Sequence, residues 1–464
     1  MKPNDTIIAF ATPAGAGAIA ILRISGSDAT GIANRFFNSI HNKDLNSQKS
    51  HTILLGHIVE GDKTYDQVLV SIFKNPHSYT GEDVIEISCH GSAYVQQQII
   101  QLFLRNGCRM ADAGEFTLRA FLNGKIDLSQ AEAVADLIAS DNEASHQIAM
   151  QQMRGGFSTE IKALRDELLN FASLIELELD FAEEDVEFAN RNQFKDLLNR
   201  IQQVLKRLID SFAVGNVIKN GIPVAIVGEP NVGKSTLLNV LLNEERAIVS
   251  EIAGTTRDTI EDEISIGGLG FRFIDTAGIR ETEDVVEGIG IRKTFEKIEQ
   301  AQVVLYLVDG SSLFVDGGIE HLKIEVEKVK NQYPLKQLLV VINKQDTLTT
   351  EKLETISKQI PTALLLSAKT GDGVEELKNQ LLEFVNTGAL RNDETIVTNS
   401  RHYDALLKAL EAVEHVNLDM QNGISGDLLA IDLKDALFHL GEITGQVTND
   451  ELLGNIFANF CIGK

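Results

Sequence analysis

Residues 228–235 have a spacing of residue types that suits the binding of a phosphate chain. They read Gly-Glu-Pro-Asn-Val-Gly-Lys-Ser, directly after the apolar run VAIVG and directly before a segment with helical spacing. In such a turn the glycines let backbone N–H groups approach phosphate oxygens, and the start of the helix favours negative charge. Lys234 would reach the outer phosphates, and the Ser235 hydroxyl would be a ligand of Mg²⁺. The pattern predicts a nucleoside triphosphate bound with magnesium.

Two further segments extend this predicted site towards the last phosphate. Residues 275–278, Asp-Thr-Ala-Gly, close the strand-like run FRFID. Asp275 is expected to hold magnesium through water, and the Gly278 amide is expected to face the γ-phosphate. Residues 247–258 are typical of a switch segment whose threonine, here Thr256, closes onto magnesium when the γ-phosphate is present. The sequence therefore predicts a switch that senses the γ-phosphate.

The base is predicted from two short segments that each follow a strand-like run. Asp346, in Asn-Lys-Gln-Asp after LLVVI, can accept hydrogen bonds from the ring N–H and the amine of guanine. Adenine has neither donor there, and an unsatisfied buried group costs roughly 1–3 kcal/mol. The Ala368 amide, in Ser-Ala-Lys, would meet the guanine carbonyl, so GTP is expected rather than ATP. The predicted GTP contacts are Asn231, Val232, Gly233, Lys234, Ser235, Thr236, Ser250, Glu251, Ile252, Ala253, Gly254, Thr255, Thr256, Asp275, Thr276, Ala277, Gly278, Asn343, Lys344, Asp346, Ser367, Ala368 and Lys369.

One position departs from the common pattern of GTP hydrolysis. Many GTPases carry a Gln after Asp-x-x-Gly to orient the attacking water, and Ile279 stands there in this chain. Asn231, in the variable stretch of the phosphate loop, is typical of a subgroup in which a potassium ion supplies charge near the phosphates. Arg257 and Arg280 are the alternatives, as arginine fingers, although switch or surface contacts are the simpler interpretation of both.

The secondary structure that must position these motifs is predicted to differ from one part of the chain to another. Residues 221–385 alternate strand-like and helical runs, which predicts a doubly wound, mostly parallel sheet. Residues 1–118 predict a mixed α/β domain, and residues 119–220 and 386–464 have helical periodicity. Because insertion is tolerated where termini lie close together, the simplest organisation is one helical domain interrupted by the nucleotide domain.

Individual runs specify this organisation further. The strand-like runs of the N-terminal domain are DTIIAFA, AIAILRIS, HTILLGHIV, QVLVSIF and DVIEISC, and residues 92–105 have helical spacing. In the nucleotide domain they are VAIVG, FRFID, VVLYLVD, LLVVINK and ALLLSA. One helical stripe is formed by Ile161, Leu164, Leu168, Phe171, Ile175 and Leu179.

Composition limits the classes of function. The chain has 42 Lys and Arg against 67 Asp and Glu, a net charge of −25. A protein that binds nucleic acid alone normally shows a basic stripe; none is visible, so any RNA contact is expected to be local or shared with a partner. Cys89, Cys108 and Cys461 are too few and too scattered for a disulfide framework or a zinc site. No unbroken apolar run of about 18 residues occurs, so no membrane span and a cytoplasmic location are expected.

Motifs near both ends of the chain resemble one family. The chain ends Phe-Cys-Ile-Gly-Lys at residues 460–464, residues 11–26 match ATPxGxGxIxIxRxSG, and TGED begins at Thr80. In combination these motifs resemble the MnmE (TrmE) family of tRNA-modification GTPases over the whole chain. The resemblance implies an N-terminal domain that binds a tetrahydrofolate and dimerises, a discontinuous helical domain and an inserted G domain.

The same resemblance implies an activity and partners. Together with a flavin-dependent partner, MnmG, the family adds a carboxymethylaminomethyl or aminomethyl group to carbon-5 of the wobble uridine of certain tRNAs. A 5-formyl- or methylene-tetrahydrofolate would supply the methylene carbon, and glycine or ammonium the remainder. The implied partners are a second copy of the chain, MnmG and tRNA, with no DNA and no membrane.

The resemblance also assigns residues to a folate pocket. Arg23, in IAILRIS, would pair with a folate carboxylate. Glu86, in DVIEIS, would read the amine and ring N–H of the pterin, with Glu82 as the second choice. Lys125, in FLNGKID, and Lys464 would complete the pocket.

Further roles follow from the resemblance in the nucleotide domain. Potassium would be held by Asn231 together with backbone oxygens of Ser250, Ile252 and Thr255, while magnesium is assigned to Ser235 and Thr256. Glu287, in VVEGIG, matches the family's catalytic glutamate, which orients water through a second water. Without the resemblance it would be a solvated switch residue.

The C-terminal cysteine has two interpretations. Cys461 is a candidate catalytic thiol if its pKa is lowered, and Lys464 nearby could do that. Otherwise it is a small buried apolar residue.

Two other functions are alternatives to the one that the family resemblance implies. One is a GTP-dependent assembly factor that binds ribosomal RNA without modifying it, although such factors usually carry a basic module or a second G domain. The other is a metabolic folate enzyme with a regulatory GTPase attached.

Overall fold

A computed structural model of the chain describes residues 5–180, 190–245, 262–274, 298–315, 317–384, 395–422, 426–458 and 460–463. They fall into two compact units. The first unit is made of Met1–Ile138, Ala149–Leu205 and Asp404–Lys464, and the second of Ala139–Ile148 and Lys206–Tyr403. The second unit thus adds short helical segments to the predicted nucleotide domain; the bounds of the four predicted segments stay a prediction.

A mixed sheet forms the N-terminal part of the first unit. In the described part of the chain its strands are β1 (Thr6–Phe10), β2 (Ile19–Ser25), β3 (Phe37–Ser39), β4 (Thr52–Glu60), β5 (Lys63–Phe73), β6 (Val84–His90) and β7 (Cys108–Met110). Their order is β3-β4-β5-β6-β2-β1-β7, with every neighbouring pair antiparallel except β1 and β7. The five strand-like runs are confirmed as β1, β2, β4, β5 and β6. The strands β3 and β7 are too short for alternation to reveal them.

One face of this sheet carries the main core of the N-terminal part. Helices α1 (Ala29–Phe36) and α2 (Ala93–Arg105) pack on the side to which Leu22 and Ile24 point. Because successive side chains of a strand point to opposite faces, Arg23 lies on the other face of β2. The alternation of the strand therefore sets one charged side chain away from the apolar core.

Among the described residues, helices follow the sheet of the first unit and also flank the sheet of the second. In chain order they are α3 (Glu115–Leu122), α4 (Leu128–Ala139), α5 (Glu143–Met153), α6 (Gly156–Asp180), α7 (Arg191–Asn220), α8 (Lys234–Glu245), α9 (Gly318–Gln332), α10 (Thr350–Gln359), α11 (Val374–Glu383), α12 (Ser400–Gln421), α13 (Gly426–Thr444) and α14 (Asp450–Ala458). The predicted stripe is confirmed in α6, where Ile161, Leu168 and Ile175 are fully buried and the helix packs against α13. None of the helices within the described ranges is both long and apolar enough to cross a membrane.

The second unit is built on a mostly parallel sheet, as predicted. Its strands within the described residues are β8 (Ile222–Val227), β9 (Asp262–Ile266), β10 (Leu269–Phe273), β11 (Val303–Asp309), β12 (Gln337–Asn343) and β13 (Leu364–Leu365). The order is β13-β12-β11-β8-β10-β9, and only β9 and β10 pair antiparallel. In open sheets of this kind, ligands bind outside the carboxyl ends of the strands. The loops after β8, β11 and β12 therefore delimit the site.

Candidate functional site

The turn after β8 has a backbone path that requires glycine at two positions. Gly228 has φ +148°, and a Cβ there would lie 2.1 Å from the Leu307 carbonyl oxygen. Gly233 has φ +100°, and its Cβ would lie 2.3 Å from Nδ2 of Asn343. Both φ values fall in the region that L side chains rarely adopt. The glycines of the motif are thus needed to close the loop against β11 and β12.

The lysine of this loop is held by the loop itself. Lys234 Nζ donates hydrogen bonds to the carbonyl oxygens of Gly228, at 2.6 Å, and Glu229, at 2.8 Å. Ser235 follows it on the first turn of α8. The ammonium and the hydroxyl therefore lie where the start of a helix already favours anions.

Asn343 connects three of the predicted motifs. Its Nδ2 donates to the Val232 carbonyl at 2.7 Å, and its Oδ1 accepts from the backbone N–H of Lys344, at 2.8 Å, and of Ala368, at 2.9 Å. The side chain is buried, so each bond avoids leaving a buried polar group unsatisfied. Asn343 thereby fixes the distance between the phosphate loop and the predicted base-binding loops.

Lys344 adds a second connection, which includes an aspartate that sequence reasoning missed. The residue has φ +64°, and its Nζ donates to the Asn231 carbonyl at 3.0 Å and to Asp309 Oδ2 at 2.7 Å. Burial acts to raise the pKa of Asp309, but hydrogen bonds from Lys344 and Ser311 outweigh it and lower the pKa. The signal was available, since Asp309 ends the strand VVLYLVD at the edge where the other motifs meet.

The predicted guanine-reading carboxylate is exposed and anchored on one side. Asp346 Oδ1 accepts a hydrogen bond of 2.6 Å from Oγ of Ser367. Ser367 is fully buried, and its backbone N–H donates to the Asp372 carbonyl at 2.8 Å. Its Oγ also accepts from the Thr370 amide at 3.2 Å. A side chain fixed in this way can present its carboxylate in a defined direction, which base recognition requires.

Four more predicted nucleotide contacts lie on the same loops or, for Thr236, on the first turn of α8. Val232 is buried, while Asn231, Thr236 and Lys369 are exposed. The remaining predictions fall outside the described residues, namely Ser250, Glu251, Ile252, Ala253, Gly254, Thr255, Thr256, Arg257, Asp275, Thr276, Ala277, Gly278, Ile279, Arg280, Glu287 and Lys464.

A second cluster of predicted residues lies on the N-terminal sheet. Arg23 and Glu86 are direct partners in the register of β2 and β6. The Arg23 Nε donates to Glu86 Oε1 at 2.9 Å, and its Nη2 lies 2.8 Å from the same oxygen. The guanidinium carbon is also 5.5 Å from the ring centre of Tyr79 and 5.7 Å from that of Phe116. These contacts make a partly exposed cation that is both paired and flanked by aromatic rings.

This pairing bears on the roles predicted for the two residues, which stay predictions. The family resemblance predicts that Arg23 contacts the carboxylates of a folate and Glu86 its pterin, which are opposite ends of that molecule. With a 2.8 Å ion pair between them, the two side chains form one polar group. Each predicted folate contact would therefore be made by a side chain that has an ionic partner in this structure.

Lys125 borders the same region through the loop before β6. Its Nζ donates to the Pro76 carbonyl at 2.9 Å, and its aliphatic stem lies within 3.4 Å of where a Cβ on Gly81 would be. Asn123 Nδ2 donates to the Thr80 carbonyl at 2.7 Å. Because the loop also carries Tyr79, it connects Lys125 to the Arg23 side chain.

Glu82, the second choice for the pterin, belongs to a network of charges. Its carboxylate accepts from Ser25 Oγ at 2.7 Å and from Arg119 at 3.1 Å. Arg119 also bonds Asp5 at 2.7 Å and the buried Glu115 at 2.9 Å. Glu82 is therefore already engaged by a structural arginine, unlike Glu86, whose partner is Arg23.

The network continues through Arg109, which no sequence pattern pointed to. Arg109 bonds Glu115 at 2.6 Å and Asp5 at 2.7 Å. Burial acts to raise the pKa of Glu115, but hydrogen bonds from Arg109, the Asp112 amide and Arg119 outweigh it and lower the pKa. The Arg109 hydrogen bond likewise lowers the pKa of Asp5. These carboxylates are therefore held ionised beneath the sheet.

The cysteines have different surroundings. Burial raises the pKa of Cys89 to about 11 and that of Cys108 to about 12, so neither is a reactive thiol near neutral pH. Cys461 is exposed, so its interpretation as a buried apolar residue is wrong. Its backbone carbonyl accepts a 3.3 Å hydrogen bond from the Gly114 amide.

The mostly parallel sheet, the glycine-shaped phosphate loop and the anchored Asp346 define a P-loop GTPase domain within a longer chain. A family model of the MnmE helical domain matches residues 128–461, and one of the GTP-binding protein TrmE N-terminus matches residues 6–125. The tRNA modification GTPase MnmE of Flavobacterium psychrophilum is 73% identical over 461 residues, which is 99% of each chain. That of Bacteroides thetaiotaomicron is 53% identical over 469 residues, 99% of this chain and 100% of its own. The chain therefore belongs to the MnmE family of tRNA modification GTPases, and it is a GTP hydrolase in tRNA modification.

The comparison with solved structures gives low scores for the overall fold. The FeoB G-domain from Methanococcus jannaschii is 28% identical, covering 35% of this chain and 97% of its own, with a TM-score of 0.24. That score is too low to add to the family assignment.

Proposed function

We propose that this GTP hydrolase is activated by potassium, and that it modifies the wobble uridine of tRNA with a reduced folate as the carbon donor. The observation that carries the potassium proposal is the conformation of Asn231. It has φ +64°, its side chain is exposed beside the phosphate loop, and its carbonyl is held by Lys344 at 3.0 Å. An asparagine fixed in this rare conformation can offer its amide oxygen to a hard cation next to the phosphates.

Potassium would supply the charge that Ile279 cannot. Ile279, where many GTPases have Gln, has no polar group to orient water, so stabilisation of the developing charge must come from elsewhere. Asn231 and the backbone oxygens of Ser250, Ile252 and Thr255 would hold the ion. Replacing potassium by sodium at equal ionic strength should lower kcat for GTP while GDP affinity stays nearly unchanged.

The backbone conformation of Asn231 determines which substitution suits this test. Alanine at φ +64° would itself be strained, so Asn231→Gly removes the amide and keeps the backbone path. The variant should hydrolyse GTP equally slowly in both salts. Equal turnover of the unaltered protein in both salts would exclude the potassium site.

Magnesium fits the oxygen donors of the same site. The Ser235 hydroxyl lies on the first turn of α8 beside Lys234, and with Thr256 and Asp275 it would make an all-oxygen donor set of the kind that hard divalent cations prefer. Bound there with GTP, magnesium would neutralise charge on the outer phosphates. Lys234 would bind the same phosphates, and Asn343 would keep the base-reading loops in place.

The N-terminal site is proposed to bind the reduced folate. The Arg23–Glu86 pair, flanked by Tyr79 and Phe116, offers a donor, an acceptor and aromatic surface in one place, and Lys125 adds a cation nearby. A pterin ring has a flat face and an edge of alternating donors and acceptors, which these groups match. Titration calorimetry with 5-formyltetrahydrofolate should detect binding, and a lack of binding would overturn this assignment.

Partners are proposed on chemical grounds. The net charge of −25 disfavours unaided binding of tRNA, so the flavin-dependent MnmG is proposed to share that contact. A homodimer is proposed to bring two G domains together in the GTP state. A cytoplasmic location is proposed with them.

Nucleoside analysis of tRNA tests the whole proposal. Cells lacking this protein should lose the carbon-5 modification of the wobble uridine. If tRNA is unchanged while ribosomal particles accumulate unassembled, the GTP-dependent assembly factor is the correct function instead.

A further inference from the structure

Asp309, at the end of β11, has hydrogen-bond partners on both of its carboxylate oxygens. Its Oδ1 accepts hydrogen bonds from the backbone N–H of Ser311, at 2.9 Å, and from the Ser311 Oγ, at 2.7 Å. Its Oδ2 accepts a hydrogen bond of 2.7 Å from Nζ of Lys344. Three donors on two oxygens fix the direction in which the carboxylate presents its charge.

The ends of β11 and β12 set the distance between Asp309 and Lys344. Asp309 is the register partner of Asn343, the residue before Lys344. The Gly310 amide donates to the Asn343 carbonyl at 2.9 Å. A Cβ on Gly310 would lie 3.0 Å from that carbonyl oxygen and 2.8 Å from Cδ1 of Leu348. Glycine at position 310 therefore allows the two strand ends to approach, and the ion pair is part of the sheet edge.

Lys344 connects this ion pair to the phosphate loop. Its Nζ also donates to the Asn231 carbonyl at 3.0 Å, and Nδ2 of Asn343 donates to the Val232 carbonyl at 2.7 Å. Two successive carbonyls of the loop are thus bound by two successive residues at the end of β12. Asn231 has φ +64°, a conformation that is unfavourable for an L residue. It persists only where the surrounding structure holds it.

The ammonium group of Lys344 can hold the Asn231 carbonyl only if it is itself held. The Lys344 side chain is long and partly exposed, so without a partner it would exchange this contact for water at little cost. The charge-assisted hydrogen bond with Asp309 keeps the ammonium over the loop. A chain of contacts therefore runs from β11 through Asp309 and Lys344 to the backbone of Asn231.

We infer that Asp309 is a positioning residue that determines the potassium selectivity of the nucleotide site. Through Lys344 it holds the backbone of Asn231, so that the amide oxygen of this side chain stays at a distance suited to potassium rather than to the smaller sodium ion. This inference rests on the potassium activation proposed above. Selectivity between cations depends on cavity size, ligand number and ligand flexibility, and Asp309 acts on flexibility without touching the ion.

The test is Asp309→Asn in the full-length protein, which keeps the shape of the side chain and removes its charge. GTP turnover is measured at saturating GTP while potassium chloride replaces choline chloride at constant ionic strength. The potassium concentration for half-activation should rise roughly tenfold, the low end for a lost hydrogen bond to a charged group. The ratio of turnover in potassium to turnover in sodium should fall.

GDP affinity separates this role from a general structural one. It should stay within about threefold in Asp309→Asn, because Asn343 still holds the Val232 carbonyl and Asp346 still faces the base. A residue that merely supports the loop would instead weaken GDP binding as much as it weakens potassium activation. Equal losses of both would therefore overturn the inference.

A double variant tests whether Asp309 acts through Lys344. Lys344→Met removes the ammonium group and should itself raise the potassium concentration for half-activation. Adding Asp309→Asn to it should have no further effect, because residues in one hydrogen-bond network are not additive. If the Asp309 charge attracted the ion directly, Asp309→Asn would raise that concentration in both backgrounds, and the positioning role would be wrong.

Glu320→Gln is the matched control for the loss of a carboxylate from an ion pair. Glu320 pairs with Lys323 at 2.8 Å on α9 of the same unit, with both side chains exposed. This variant should leave the potassium concentration for half-activation unchanged. If Asp309→Asn does not fold, Ser311→Ala is the second variant, since it removes one of the three donors to Asp309. It should raise that concentration roughly two- to threefold, the low end for a single hydrogen bond.

The outcomes distinguish the inference from the proposed function. Equal turnover of the unaltered protein in potassium and sodium removes the potassium activation, and the inference with it. Potassium-dependent turnover of the unaltered protein with an unchanged potassium response in Asp309→Asn overturns the inference alone. A weakened potassium response that disappears in the Lys344→Met background, with GDP affinity kept, supports it.

Discussion

The nucleotide site and the N-terminal site are built by opposite means. In the nucleotide site, hydrogen bonds join motif side chains to main-chain groups of other motifs. The Asn343 side chain, for example, bonds both the Val232 carbonyl and the Ala368 amide. In the N-terminal site, the defining contacts join side chains far apart in sequence, as in the pair of Arg23 and Glu86.

That difference predicts how each site responds to the loss of one side chain. A motif supported by its own backbone should lose only the function of the group that is removed, either catalysis or base recognition, while folding persists. A site assembled from distant side chains should lose binding, stability or both.

The largest effect is expected for Glu287→Ala, at a position outside the described residues. A carboxylate that acts on water through another water contributes orientation and charge, so its loss should lower kcat by about 10²–10³. GTP affinity should change less than a few-fold, because the Lys234 and Asp346 contacts remain. Single-turnover hydrolysis and nucleotide binding measure the two quantities. If turnover is kept, Glu283 or Asp284 positions the water.

The next effect is expected in the charged network under the N-terminal sheet. Glu115 is 2% exposed and bonded by Arg109 and Arg119. Glu115→Gln removes the carboxylate charge that pairs with both arginines. The free energy of unfolding should fall by about 3 kcal/mol. That is the lower end of the range for a broken buried ion pair, because Arg109 is partly exposed. The control is Asp112→Asn, an exposed partner of Arg109 at 3.8 Å, which should cost less than about 0.5 kcal/mol. Calorimetric unfolding compares them.

The same network predicts the direction of the pH dependence. Because the folded-state pKa values of Glu115 and Asp5 are lowered, their stabilisation is complete above their ordinary pKa values of about 4 to 4.5. It is lost as the pH falls through the lower, folded-state values. The unfolding temperature of the first unit should therefore decrease below about pH 4.5, and Glu115→Gln should flatten that decrease. An unchanged profile in the variant would show that other carboxylates cause acid unfolding.

Where the chemistry is local, a short segment of sequence is enough for a prediction. Four consecutive residues ending in Asp346, placed after a strand, are enough to predict a base-reading carboxylate. Asp5 and Arg109 are 104 positions apart, and nothing in either segment indicates the partner. Arg23 and Glu86, 63 positions apart, each stand as a lone charge within an apolar strand. These lone charges can be recognised in the sequence. The ion pair, however, depends on the register between β2 and β6, which composition does not specify.

Base selectivity should show a somewhat smaller effect in the nucleotide site. Asp346→Asn keeps the shape and the hydrogen bond with Ser367 but removes the charge that accepts from guanine. Hydrogen bonds to charged groups contribute about 1.5–3 kcal/mol, so GTP affinity should fall roughly 10- to 150-fold. Xanthosine triphosphate, whose ring carries a carbonyl in place of the amine, should bind the variant better than the unaltered protein. Competition binding with both nucleotides measures this; a variant that still prefers GTP would exclude Asp346 as the base reader.

The smallest and most discriminating effect concerns the Arg23–Glu86 pair. Each of Arg23→Ala and Glu86→Gln should weaken reduced-folate binding by roughly 1–3 kcal/mol. If the pair acts as one unit, the double variant should bind no more weakly than the weaker single variant, since residues in contact are not additive. If instead Arg23 alone binds a folate carboxylate, Glu86 is its competitor, and Glu86→Gln should tighten binding. The sign of the Glu86→Gln effect in titration calorimetry thus decides between the paired role and the separate roles. GTP turnover should be unchanged in every variant, because the Arg23–Glu86 pair shares no residue with the nucleotide site.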